Sequence, residues 1–210
     1  MNNLMRILGL VLLMATSQTS PAIAQEQTLL PAYYSVTHVA VNDVLNVREG
    51  PGASFPVIST FQPNSRDIEV VGLSDDQKWA LVAMPENHGW VSLRFLNRQA
   101  GQNSTDLPRP ISCFGTEPFW NLQLDKAGAK FGQFGTEQQS LETKWHDKAA
   151  GMGPYTYGAL LQGRDVEIHA VIERTICSDG MSDRLYGLSI SAFYTGVLET
   201  ELYTGCCVLQ

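Results

Sequence analysis

Through most of this chain apolar and polar residues alternate over short runs, and turn-forming residues separate one run from the next. Leu45-Asn46-Val47-Arg48 shows the period of two expected of a strand with one buried face. Gly50-Pro51-Gly52 ends that strand, because proline fixes φ and lacks an N–H while glycine reaches backbone conformations closed to other residues. Arg48 and Glu49 are therefore expected at the lip of a loop. Further short strands are expected at Phe55–Phe61, Ile68–Gly72, Lys78–Val82, Gly89–Ser92 and Phe95–Leu96. Their close spacing is what a small β-barrel requires.

The second half of the chain repeats the theme with longer runs. Strands are expected at Trp120–Leu124, Ser140–Trp145, Tyr155–Leu161, Val166–Ile176, Leu188–Tyr194 and Val197–Tyr203, with a hairpin turn at Thr195-Gly196. One face of Val166–Ile172 is wholly apolar, and Glu199 and Glu201 point away from it in their own strand. Helical periodicity is absent over any long stretch. An all-β protein is expected: a small N-terminal barrel over 34–97, then an antiparallel barrel or sandwich over 112–210. The polar, aperiodic stretch 98–111, which ends in prolines, reads as the linker between them.

The N-terminus carries Arg6, a short apolar run from Ile7 to Ala15 and small residues at Ala22-Ile23-Ala24. That is the pattern of a secretory signal peptide over 1–24, too short to span a bilayer as a helix, with 25–33 a flexible lead-in. A periplasmic or secreted protein without stable membrane insertion is expected. The chain holds 14 Lys+Arg against 21 Asp+Glu, and no run of cations, which argues against nucleic acid or anionic lipid as a partner.

All four cysteines, Cys113, Cys177, Cys206 and Cys207, fall in the second half. An even number in an exported chain implies disulfides, and four cysteines allow three connectivities. A zinc site is the competing reading. It lacks any Cys-x-x-Cys spacing, and His146 and His169 have no ligand-like partners, so neither metal nor cofactor is expected.

Two resemblances add to this. Leu45-Asn46-Val47-Arg48, Gly50-Pro51-Gly52, Trp79 and Gly89-Trp90-Val91-Ser92 together resemble the bacterial SH3 (SH3b) domain over about 34–97. Asn64-Ser65 replaces the family's common Gly-Thr turn, and Phe95 stands where tyrosine is usual. The resemblance implies an SH3-like barrel that docks on peptidoglycan peptide or an envelope protein. From Ser112 to Cys207 the chain resembles a poorly characterised family of bacterial envelope proteins and lipoproteins. The shared features are Cys113-Phe114-Gly115-Thr116-Glu117-Pro118-Phe119-Trp120, the loop Cys177–Asp183 and Gly205-Cys206-Cys207. That family implies the pairs Cys177–Cys206 and Cys113–Cys207 and brings no established activity.

Each candidate site residue has two readings. Trp79 and Trp90 either fill the first core or line a groove beside Arg48, whose guanidinium suits a peptide carboxylate. Trp120 is either core or pocket wall. Glu117, Asp179 and Asp183 could form a general acid/base set, with Glu117 and Asp179 its leading pair, although an Asp-Gly-x-x-Asp loop such as Asp179–Asp183 commonly caps its own turn. Glu117 and Asp183 beside Arg184 form either a satisfied ion pair or the rim of a small-ligand site. No nucleophile motif of a serine, cysteine or zinc hydrolase is present. The leading expectation is an exported, non-catalytic adaptor of the cell envelope. The alternatives are a carboxylate-dependent cell-wall hydrolase and an inhibitor of an envelope hydrolase.

Overall fold

The computed structural model describes residues 29–102, 105–151 and 153–210; the expected signal peptide and residues 25–28 lie outside them. The protein is all-β. Seven strands form the N-terminal sheet: β1 (Ala32–Val36), β2 (Leu45–Arg48), β3 (Val57–Phe61), β4 (Ile68–Leu73), β5 (Trp79–Ala83), β6 (His88–Ser92) and β7 (Leu96–Arg98). They pair antiparallel in the order β3-β2-β6-β5-β4-β1-β7. Alternate side chains from six of these strands converge on one core, in which Val47, Val70, Ala80, Val82 and Val91 are wholly buried. Removing each such valine from water contributes about 1.5–3 kcal/mol, enough in sum to organise strands this short.

The expected lead-in ends earlier than its composition suggests. β1 starts at Ala32 and pairs with both β4 and β7, and Leu29 and Ala32 are buried. Residues 98–102 and 105–111 are likewise held in place. Gln102 uses its side-chain amide as a strand would use its backbone: Oε1 accepts from Tyr33 N (2.7 Å) and Nε2 donates to Tyr33 O (2.9 Å). Leu107 is buried in the core of the second unit.

That unit is a closed barrel of eight strands, so the barrel and not the sandwich is correct. Its strands are β8 (Ile111–Thr116), β9 (Phe119–Leu124), β10 (Ala129–Gln133), β11 (Gln139–Lys148), β12 (Thr156–Gln162), β13 (Glu167–Glu173), β16 (Leu188–Thr195) and β17 (Thr200–Leu209). Each pairs with the next, and β17 returns to β8. A small hairpin, β14 (Cys177–Ser178) with β15 (Leu185–Tyr186), loops out between β13 and β16. The apolar face of β13 buries Ile168, Ala170 and Ile172, as its alternation demands. At the β16–β17 turn Gly196 N donates to Glu199 O (2.8 Å), so the loop spans four residues. The expected strand over Val197–Tyr203 therefore begins at Thr200, and Leu198 is left 97% exposed.

Both disulfides have the implied partners, Cys113–Cys207 and Cys177–Cys206. With no cysteine left free, the chain belongs to an oxidising, extracytoplasmic setting. The sheet and the barrel meet around Glu69 of β4, a buried carboxylate that accepts from Leu209 N (3.2 Å) and from Arg184 Nη2 (3.4 Å). Burial pushes the Glu69 carboxyl above the usual range, and these two donors offset only part of that.

Candidate functional site

The N-terminal sheet carries a groove of about 990 Å³ between the β2 end, the 38–46 segment and the turn into β7. Arg48 and Trp79, both expected to serve a groove, line it together. Sequence position explains the meeting. Arg48 sits at the last position of β2 with its side chain alternating away from the buried Val47, and Trp79 opens β5 half-buried. Ser74 Oγ accepts from Trp79 N (3.0 Å), fixing where the strand and its indole begin.

Arg48 is partly committed. Its Nη1 donates to Phe55 O (2.7 Å), which ties the guanidinium to the loop that follows Gly50-Pro51-Gly52. That loop is tight because the Phe55 ring lies on Gly50: a Cβ there would stand 2.5 Å from the ring. The guanidinium has five N–H donors, so holding one carbonyl leaves others for an anionic group in the groove. Arg94 and Lys78 line the same groove, and Arg94 lies over the Phe95 ring at 4.5 Å. Asp43 supplies an opposing carboxylate. Charge of both signs beside aromatic and aliphatic surface suits an extended peptide with its own termini or acidic groups.

The other candidates of this half stand apart. Glu49 is exposed and does not line the groove, and its backbone N donates to Pro56 O (3.1 Å). Trp90 is half-buried on β6, opposite Leu81 of β5 and Arg48 of β2, and is not part of the groove wall.

In the barrel, Trp120 is core and not pocket: it is 3% exposed and packs among Phe131 and Tyr203, with ring centroids at 6.2 and 5.5 Å. Gly115 makes room for it, since a Cβ at that position would stand 2.1 Å from the indole Nε1. This is the reason for a glycine and a tryptophan on paired positions of β8 and β9.

Glu117 and Asp179 do share a shallow depression of about 490 Å³, walled partly by Cys177 and Gly205. Their environments differ. Glu117 is exposed, whereas Asp179 accepts from Met181 N (3.0 Å), Ser182 N (2.9 Å), Ser182 Oγ and Tyr186 Oη (3.0 Å). Burial raises the Asp179 carboxyl, but these backbone and hydroxyl donors together hold it below the usual carboxylate range. Such a carboxylate is a turn cap and a weak base.

Asp183 and Arg184 do not pair with each other. Asp183 is exposed and its carbonyl accepts from His88 Nδ1 (2.6 Å), while Arg184 reaches Glu69 and lies 5.0 Å over the Tyr186 ring. Both belong to the contact between sheet and barrel, which the local sequence does not reveal because Glu69 is remote in the chain. His169 is held by Glu167 (2.7 Å), and among the described residues no group of His, Cys, Asp and Glu is arranged to hold a metal. Compared with known proteins, the chain matches no family model, no curated protein and no solved structure.

Proposed function

We propose that the protein is an exported, non-catalytic adaptor of the cell envelope. Its N-terminal sheet takes a peptidoglycan peptide or a segment of an envelope protein in the groove between Arg48 and Trp79. The observation that carries this reading is the groove itself. It joins an arginine with unused donors, two further cations and aromatic surface in one depression of about 990 Å³. Resemblance of the same residues to SH3b domains points the same way, as does a disulfide chemistry suited to the envelope.

The acid/base reading of the barrel is the weaker one. Asp179 spends its carboxylate oxygens on its own loop, and a general base needs a free lone pair directed at substrate. The barrel then serves as the rigid body onto which the sheet is clasped through Glu69 and Arg184.

Sedimentation of the purified, oxidised protein with intact peptidoglycan sacculi tests the proposal. Saturable co-sedimentation that Arg48→Ala abolishes is the expected result. Sacculi that leave the protein in the supernatant would remove the wall ligand, and crosslinking in the periplasm would then be used to find a protein partner at the same groove.

A further inference from the structure

A second cleft, about 410 Å³ in volume, lies where β1, the 98–111 stretch and the barrel come together. Its wall holds Arg98, Arg109, Lys126 and Arg174, with Asp106 the one acidic side chain among them. Four of the chain's 14 cations thus face one small space in a protein whose formal charge is −7. Three cations outside the cleft have carboxylate partners: Lys78 with Asp76, Lys144 with Glu142 and Arg184 with Glu69. Among the described residues none of the four cleft cations has a carboxylate partner within ion-pair distance.

Two half-buried members, Arg174 and Arg98, are fixed by neutral acceptors. Arg174 donates from Nε to Tyr157 Oη (2.9 Å), from Nη1 to Leu30 O (3.0 Å) and from Nη2 to Asp106 O (3.0 Å). Its position is therefore set, and its charge is not neutralised. Arg98 donates from Nη2 to Leu29 O (3.2 Å), and its Nε is buried without an acceptor. Among the described residues, Arg109 and Lys126 of the same wall have no side-chain hydrogen-bond or ion-pair partner. Holding like charges this close is unfavourable for the empty cleft, and an anion entering it relieves the repulsion.

We infer that this cleft is a binding site for a compact polyanion, a small molecule with at least two carboxylate or phosphate groups. Its size suits a metabolite-sized ligand, and its place between two packed units is where such sites are commonly built. Arg98 at the end of β7 and Lys126 between β9 and β10 offer cations from the sheet and from the barrel to separate anionic groups, and Arg109 adds a third on the same wall. Pro31, Leu107 and Leu209 give the ligand's carbon skeleton an apolar wall. The site is separate from the Arg48 groove, with which it shares no lining residue.

Isothermal titration of the oxidised protein with citrate, with pyrophosphate and with acetate at matched ionic strength tests the inference. Saturable binding of citrate or pyrophosphate is expected, with acetate far weaker and with affinity falling as salt is added. The stronger of the two identifies the ligand as carboxylate or phosphate. The double variant Arg109→Gln, Lys126→Gln, which leaves the fold-holding bonds of Arg98 and Arg174 intact, is expected to bind about tenfold more weakly or worse. Absence of saturation with both polyanions would overturn the inference. So would equal binding by acetate, or unchanged binding in a double variant whose melting curve matches the wild type.

Discussion

Cys113 and Cys207 stand directly opposite each other on the first and last strands of the barrel, and their disulfide fastens the pair that closes the ring. The cross-link spans 94 residues of chain, against 29 for Cys177–Cys206. Loop-closure entropy in the unfolded chain then assigns the two roughly 4.7 and 3.6 kcal/mol. Cys113→Ala with Cys207→Ala is expected to lower the free energy of unfolding in urea more than Cys177→Ala with Cys206→Ala. The reverse order would mean that the β14–β15 hairpin, and not the barrel seam, limits stability.

The same seam explains a glycine. A Cβ on Gly205 would stand 1.9 Å from Phe114 O, a backbone atom that cannot move without parting β17 from β8. Gly205→Ala is expected to cost about 3 kcal/mol, where overpacking is usually felt. Gly101, at φ +81° with open space around it, is the control: there alanine meets only the backbone penalty of about 1 kcal/mol. Equal losses in thermal melts of the two variants would contradict the close approach.

Much of this architecture was legible in the sequence, because alternation reports which face of a strand is buried and needs no distant partner. Val166–Ile172 and Leu45–Arg48 were readable for that reason. β10 was not: Ala129-Lys130-Phe131-Gly132-Gln133 buries Gly132 where a polar residue would mark the outer face, so the pattern is blurred. β1 was missed because two adjacent tyrosines, half-buried Tyr33 and buried Tyr34, blur the alternation of Ala32–Val36. The Arg48–Trp79 groove followed from local motifs, whereas Arg184 found its partner 115 residues away and the four-cation cleft drew on three separate stretches. Contacts made by tertiary meeting leave no local spacing to read.

Glu69 gives the contact between sheet and barrel a pH signature. Its carboxyl is raised by burial, so the folded state holds the proton more tightly than the unfolded chain does. The stability linked to it is complete below the unfolded value near 4.5 and is lost as pH rises through the folded value. Glu69→Gln is expected to remove that fall, seen as a flatter stability profile in urea unfolding across the mildly acidic range. Arg184→Ala is expected to cost roughly 2–3 kcal/mol near neutral pH, where it leaves a buried carboxylate without its cation, and less once Glu69 is protonated. A penalty independent of pH would show that Arg184 acts through its packing on Tyr186 alone.

Asp179 behaves in the opposite sense, and it separates the two readings of the barrel. Its carboxyl is held below the usual range of 3.8, so the stability that it contributes is present above that value and is lost as pH falls through the folded one. Asp179→Asn keeps the size but weakens four acceptor contacts to Met181, Ser182 and Tyr186. A turn cap predicts a loss of about 1–2 kcal/mol and faster amide exchange over 177–184, with no change in wall turnover. Glu117→Ala, at an exposed position, is expected to change neither. A hydrolase predicts the converse: wall turnover stopped by either substitution while the melting temperature barely moves. Amide exchange and turnover measured on the same two variants therefore decide between a loop that holds itself together and a pair of carboxylates that acts on something else.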